Sequence, residues 1–407
     1  MISRRRGQWE DMAPLVRRPS ATFVALSSTS VVRAYGYALT ATYLSFYAAV
    51  FDASGLWIGA FTTAFAVAQT GTTAALGAWA DGERVRKLLV GAALASAATY
   101  VGFVFVVGEV TLVAARIAQG VTVSVLFVLG TAVVSGRAAS DDRGRQVGLF
   151  NQVGALAGGL GTASAGIIYE SAGFAPGYLL LAAVSLISAW VLARTDLGVD
   201  DFEAAGGVAA YRRLVERPAV HGVAAFRVGF GFAKTAVRVY LPIYAYLAVS
   251  LSPAAVGVVL TAPRVARTVC QGYAGSLADR VGRRPLLITA AIGYTATATA
   301  VPLAGSLETL TACAALFGLA DACRIPASVA LFTEAGTASR AVTSLSLRSL
   351  LWKPGSVLAP VFAGVLHDVV SIHAVFYATA AAVVGTVAVA ASLDGSRPAP
   401  EPSPSGD

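Results

Sequence analysis

Twelve apolar stretches follow one another with only short polar connections between them, at about 21–49, 55–79, 87–108, 111–134, 147–169, 176–193, 220–247, 253–274, 285–303, 307–335, 343–366 and 371–392. Most come close to the ~20 residues that a helix needs to cross hydrocarbon. Several contain Gly, Pro or Arg, so no single one is a uniform leucine-rich span. A chain of 407 residues carrying this pattern has no room for a compact water-soluble enzyme with one core. Its charged fraction, 13%, lies far below the ~25% of soluble domains. A porin-like barrel is excluded as well, because the runs are too long and lack strict period-two alternation. The 41 glycines suit helices packed closely in lipid, where small residues let backbones approach.

The 30 basic residues sort by position. Twenty fall in the termini or in alternate connections, ten fall inside spans, and none is left for the other set of connections, which carry Asp52, Glu109, Glu170, Glu308 and Asp368. Under the positive-inside rule both termini are cytoplasmic, in a cell inner membrane or plasma membrane. The net charge of +8 is then a topology signal beside anionic lipid, not a footprint for nucleic acid. The basic N-terminus leads into an apolar stretch without a small-residue cleavage signal, which reads as a retained first span. The longest connection, 194–219, divides the chain into six-span halves, 1–193 and 220–393, and the proline-rich tail 394–407 is too polar to pack. Cys270, Cys313 and Cys323 show neither metal spacing nor a disulfide framework; no metal or cofactor is expected.

Between the eighth and ninth stretches the sequence reads GSLADRVGRR, 275–284, and between the second and third it reads GAWADGERVRK, 77–87. Small residues permit tight helix ends, while an acid beside several bases can bridge neighbouring helix termini. One such turn per half indicates internal duplication. These residues resemble the major facilitator superfamily. Its signature is met at Gly275, Leu277, Ala278, Asp279, Arg280, Gly282, Arg283 and Arg284; in the first copy Gly77, Ala80, Asp81, Arg86 and Lys87 match, whereas Trp79, Gly82, Arg84 and Val85 depart. The resemblance implies an all-α integral membrane protein, twelve transmembrane helices in two pseudo-symmetric six-helix halves. It also implies a gating role for Asp81, Asp279, Arg280 and Arg283. RIAQG, 116–120, resembles the superfamily's fourth-span element, which gives Arg116 and Gln119 a place in a proton or substrate network; snorkelling to the surface is the other reading of Arg116. Gly154, Gly158, Gly159, Gly161 and Gly166 read as close packing, or as the family's exporter motif without its Gly-Pro step.

Charges inside spans mark sites, because each needs a partner or water. Arg227, Lys234 and Arg238 share one helix face at spacings of seven and four. Asp321 and Arg324 form a local pair before Pro326, or Asp321 crosses the bundle to Lys234. Lys353 precedes Pro354-Gly355, and Arg33, Tyr37 and Thr40 recur at helical spacing, so Arg33 and Arg227 become symmetry-related candidates for one cavity; snorkelling to the cytoplasmic surface is the other reading of Arg33. Arg264 and Arg267 read as contacts to headgroups or to the signature turn. Tyr240, Tyr244 and Tyr246 with Pro242 suggest a bent, polar half-span suited to gating.

With Asp321 the only deep acid among these bases, the leading expectation is a secondary transporter for an anionic small solute, working as a monomer among membrane lipids, with a proton or other ion as coupling partner. Arg33, Lys234 and Arg238 are the expected substrate contacts. A proton-coupled drug or metabolite exporter is the alternative within transport; a non-transporting receptor or scaffold is the alternative outside it. No HExxH, paired-acid or nucleophile-base pattern supports an enzyme, so no catalytic residue is expected.

Overall fold

The computed structural model describes residues 20–79, 82–138, 142–198, 218–334 and 351–395, and these form twelve α-helices. In chain order they are α1 (Ala21–Val50), α2 (Gly55–Trp79), α3 (Gly82–Val104), α4 (Glu109–Arg137), α5 (Arg143–Ala172) and α6 (Ala175–Arg194). The second six are α7 (Pro218–Ile243), α8 (Pro253–Val281), α9 (Arg283–Ala300), α10 (Leu307–Glu334), α11 (Lys353–Val369) and α12 (Ile372–Gly395). Every apolar stretch coincides with one helix. The expected linker core 199–217, the start of the eleventh stretch and the tail from 396 lie outside the described residues.

Serines start several of these helices by accepting an otherwise unmatched backbone N–H. Ser20 accepts from Phe23 N (3.1 Å), Ser252 from Ala255 N (3.3 Å) and Ser371 from Ala374 N (3.2 Å). At α10, Ser306 and Thr309 cap each other reciprocally. Asp52, before α2, and Ser250, before α8, both adopt left-handed backbone, with φ of 47° and 57°. Two equivalent connections thus turn in the same way.

Packing repeats between the halves. Helix α1 lies on α5 as α7 lies on α11, α2 on α4 as α8 on α10, and α3 on α6 as α9 on α12. Two seams join the halves: α2 against α11, and α5 against α8. Four stretches, 84–104, 109–137, 175–194 and 285–303, are apolar and long enough to cross a membrane on composition alone, and 372–388 is a shorter apolar one. Three of the four belong to α3, α6 and α9, which stand outside the seams, where Leu186, Ile187, Trp190 and Ile292 are more than half exposed on the bundle's flank. The seam helices dilute their apolar runs with Thr, Gly and Arg because much of their surface faces protein and cavity.

Each seam ends in the same device. On α5, Gly166 lies against the carbonyl of Pro253, and four residues on, Glu170 accepts a hydrogen bond from Ala254 N at the start of α8 (2.9 Å). On α11, Gly364 lies against the carbonyl of Gly55, and four residues on, Asp368 accepts from Gly55 N (2.5 Å) and Leu56 N (2.9 Å) at the start of α2. A side chain at either glycine would run into a backbone carbonyl. Each carboxylate also meets the positive end of a helix dipole. These two clasps close the end of the bundle that carries Asp52, Glu109 and Glu308, called here the acidic end.

Candidate functional site

Two cavities of about 150 and 160 Å³ lie between the halves. The first is bounded by α1, α5, α7, α8 and α10 and lined by Lys234, Arg238, Arg264, Arg267 and Asp321 among others. The second is bounded by α1, α2, α4, α7 and α11 and lined by Tyr37, Phe65, Gln69, Arg116, Trp352 and Lys353, again with Arg238. Among the described residues, Ala41 and Arg238 alone line both. Arg238 donates to the Tyr37 hydroxyl (3.2 Å) and its guanidinium lies 5.4 Å from the centre of that ring. This contact between α7 and α1 separates the two spaces.

Asp321 anchors the first cavity. Its Oδ1 accepts from Arg324 Nε (3.0 Å) and Nη2 (2.7 Å) and from the Tyr294 hydroxyl (2.8 Å). Its Oδ2 accepts from Lys234 Nζ at 2.5 Å, with Arg267 at 3.5 Å. The spacing of three residues on α10 gives the local pair, and Lys234 on α7 gives the crossing pair, so both pairings are present at once. Burial makes such a cluster stable only when every charge has a partner. Trp352 adds a ring surface: the cations of Arg227, Arg324 and Lys234 lie 4.8, 4.9 and 5.9 Å from its centre.

Arg116, 1% exposed, belongs to the second cavity and does not snorkel. It donates to the Phe61 carbonyl (3.0 Å) and to Gln119 Oε1 (2.5 Å), one helical turn along α4, and rests on the Phe65 ring at 4.5 Å. Gln119 in turn donates to Gly36 O (3.3 Å) and Thr40 (3.1 Å) on α1. Lys353, at the start of α11, donates to Gln69 Oε1 on α2 (2.6 Å), so its partner is neutral and belongs to the other half.

The family model described as Major Facilitator Superfamily matches residues 26–233 and again 223–407. The chain belongs to that superfamily. Solved transporters share its fold. A peptide transporter, POT, in complex with sulfate aligns with a TM-score of 0.73 at 12% identity, covering 94% of this chain and 98% of its own. The nucleoside transporter NupG gives 0.72 at 13% identity, covering 92% and 99%. A bacterial homolog of the human lysosomal transporter Spinster, in its inward-facing and unoccupied conformation, gives 0.70 at 12%, covering 93% and 96%. No curated protein matches the sequence.

As a Major Facilitator Superfamily member the chain is a multi-pass membrane protein with the fold of secondary transporters, and that fold points away from an enzyme. Of the residues singled out from sequence, Tyr37, Arg116, Lys234, Arg238, Asp321 and Lys353 line the two cavities. Gln119 and Arg324 stand directly behind them. Arg33 and Arg227 line neither: Arg33 lies over Phe127 (4.7 Å) and donates to Ser30 (3.2 Å), and Arg227 lies over Trp352. Contact with an aromatic ring holds each guanidinium against its own half. Arg264 and Arg267, expected at headgroups or at the signature turn, instead face the first cavity. They follow Pro263, whose carbonyl a side chain at Gly318 on α10 would strike, so α8 is drawn against the second half with this face inward. Tyr240 and Tyr244 donate to backbone carbonyls, Tyr240 to Gly55 O across the seam (3.2 Å), and a π-helical turn, Tyr244–Ala248, follows Pro242. Gly154, Gly158, Gly161 and Gly166 meet α1 or α8 closely, as packing requires, while Gly159 meets nothing. Arg280 is exposed, Asp81 falls outside the described residues, and so do the side chains of Asp279 and Arg283. Among the described residues no group of His, Cys, Asp and Glu could hold a metal.

Proposed function

We propose that this chain moves a small anionic solute across the membrane by alternating access, with the solute held where Arg238 faces both cavities. The charge of the lining carries the reading. Among the described residues Arg116, Lys234, Arg238, Arg264, Arg267 and Lys353 line the two spaces, against one acid, Asp321, which is already paired with Lys234 and Arg324. A field of one sign in a low-dielectric cleft attracts the opposite sign and repels its own. Lys234 and Arg238 keep the role of solute contacts, and Arg264 takes the place expected of Arg33.

In this reading the six-helix halves, 1–193 and 220–393, rock about that site while 194–219 tethers them. The basic connections and both termini face the cytoplasm, in a cell inner membrane or plasma membrane, and Asp81, Asp279, Arg280 and Arg283 gate that end. One copy suffices, because the site lies between two halves of one chain, and a proton or another ion drives the cycle. Thermal-shift measurements on the purified protein test the reading. Inorganic and carboxylate anions raise the midpoint by several degrees, organic cations do not, and Arg238→Gln removes most of the anion response. Stabilisation by cations alone, or an Arg238→Gln response equal to the parent's, overturns it.

A further inference from the structure

The cavity between the halves is not one basin. Arg238, reaching from α7 to the Tyr37 hydroxyl and ring on α1, splits it into two lobes, and each lobe has its own surplus of positive charge. In the first lobe Asp321 answers Lys234 and Arg324, and Arg267 approaches the same oxygen as Lys234 at 3.5 Å. Arg264 has no hydrogen-bond acceptor or acid partner among the described residues, although it lines the same space. In the second lobe no carboxylate lines the wall among the described residues. Lys353 is held by the amide oxygen of Gln69, and Arg116 by a carbonyl and the amide of Gln119.

Building on the anion reading above, we infer that the solute carries two separated acidic groups, one seated in each lobe, with Arg238 between them. A single acidic group in the second lobe leaves Arg264 without an acid in the first, and one in the first leaves Lys353 and Arg116 matched only by neutral dipoles. Two groups on one short skeleton answer both. Arg238 is suited to the middle position: a guanidinium has five N–H donors in a fixed fork, and the described contacts use one of them, on a neutral phenol. It can therefore turn donors towards both ends of the solute at once. Among the described residues the only other one shared by the lobes is Ala41, so the side chain beside Arg238 at the junction is no larger than a methyl. The lobes also differ in character. The second is walled by three aromatic residues, Tyr37, Phe65 and Trp352, and the first by one, Phe317, with Thr42, Thr162 and aliphatic groups around its bases, so the two ends of an asymmetric solute are distinguishable.

Calorimetric titration of the full-length protein in detergent tests this. The probes are linear saturated dicarboxylates of increasing length, the monocarboxylate of each length, and sulfate, which puts two charges on one centre. One dicarboxylate length binds at least tenfold tighter than its monocarboxylate and than sulfate. Arg264→Gln and Lys353→Gln, on opposite lobes, each lower the ratio of dicarboxylate to monocarboxylate affinity below three. Ala41→Leu, which narrows the junction and leaves every charge in place, lowers the ratio in the same way; elution as a single monodisperse peak first shows that each variant is folded. If mono- and dicarboxylates bind within threefold at every length, or sulfate matches the best dicarboxylate, the two-ended solute is refuted while the anion site stands. If no anion binds and cations or neutral solutes do, both readings fall.

Discussion

Replacing Asp321 with alanine is expected to be the most destabilising single change in the cavity, lowering unfolding free energy in detergent by about 3–5 kcal/mol. That carboxylate is 4% exposed and receives Arg324, Lys234 and the Tyr294 hydroxyl, with Arg267 close by. Removing it leaves buried cations facing one another, Arg324 with 5% of its side chain exposed and Lys234 with 14%. The damage is electrostatic, so it should be reversible in a defined way. Adding Lys234→Met to Asp321→Ala removes one stranded cation and should restore at least 1 kcal/mol, whereas Lys234→Met alone leaves Asp321 with Arg324 and has the smaller effect. A midpoint for Asp321→Ala within 1 kcal/mol of the parent would mean that water already screens the cluster. Recovery absent from the double variant would mean that Asp321 acts through packing and not charge.

The second large effect concerns the acidic end. Glu170→Gln with Asp368→Asn should shift the protein strongly towards the conformation open at that end. Each carboxylate accepts backbone N–H bonds from the first turn of a helix in the opposite half. Charge-assisted bonds of this type are worth about 1.5–3 kcal/mol, and the amides keep one acceptor while losing the charge that faces the helix dipole. A loss of roughly 1.4 kcal/mol per clasp is about a tenfold shift in the equilibrium each. Because the clasps sit on different seams, their effects should add in free energy, so the shifts multiply. The readout is labelling of Thr42→Cys, in the first cavity's wall, by a membrane-impermeant thiol reagent supplied at the acidic end, in a background with Cys270, Cys313 and Cys323 replaced by serine. Rates rise several-fold in each single variant and by the product in the double. Unchanged rates in the double variant would assign the closure to the helix packing around Gly166 and Gly364 instead.

The architecture was legible in the sequence because lipid imposes two strong filters, span length and the sorting of charge between connections. The interior charges were legible as far as they interact along one helix or at one depth. Arg116 finds Gln119 at a spacing of three, Asp321 finds Arg324 at the same spacing, and Lys234 meets Asp321 because both are deep and opposite in sign. Other features depended on how helices rotate against one another. Nothing local distinguishes Arg264, which lines a cavity, from Arg33, which lies on Phe127. Gln69 and Ala41 carry no charge, and their importance comes from Lys353 and Arg238 arriving from the other half. The clasps did leave a trace, GIIYE at 166–170 and GVLHD at 364–368, but five residues with two matching positions gain meaning only once each is seen at a seam.

Trp352 gives the cavity a built-in optical reporter. Its indole lines one lobe and lies within 6 Å of three cations, whereas Trp57 and Trp190 are exposed, at 36% and 61%. An excited indole redistributes its electrons across the ring, so its emission energy depends on nearby charge. A solute that neutralises this field changes the colour of one chromophore among five, and site occupancy can be followed in the unlabelled protein.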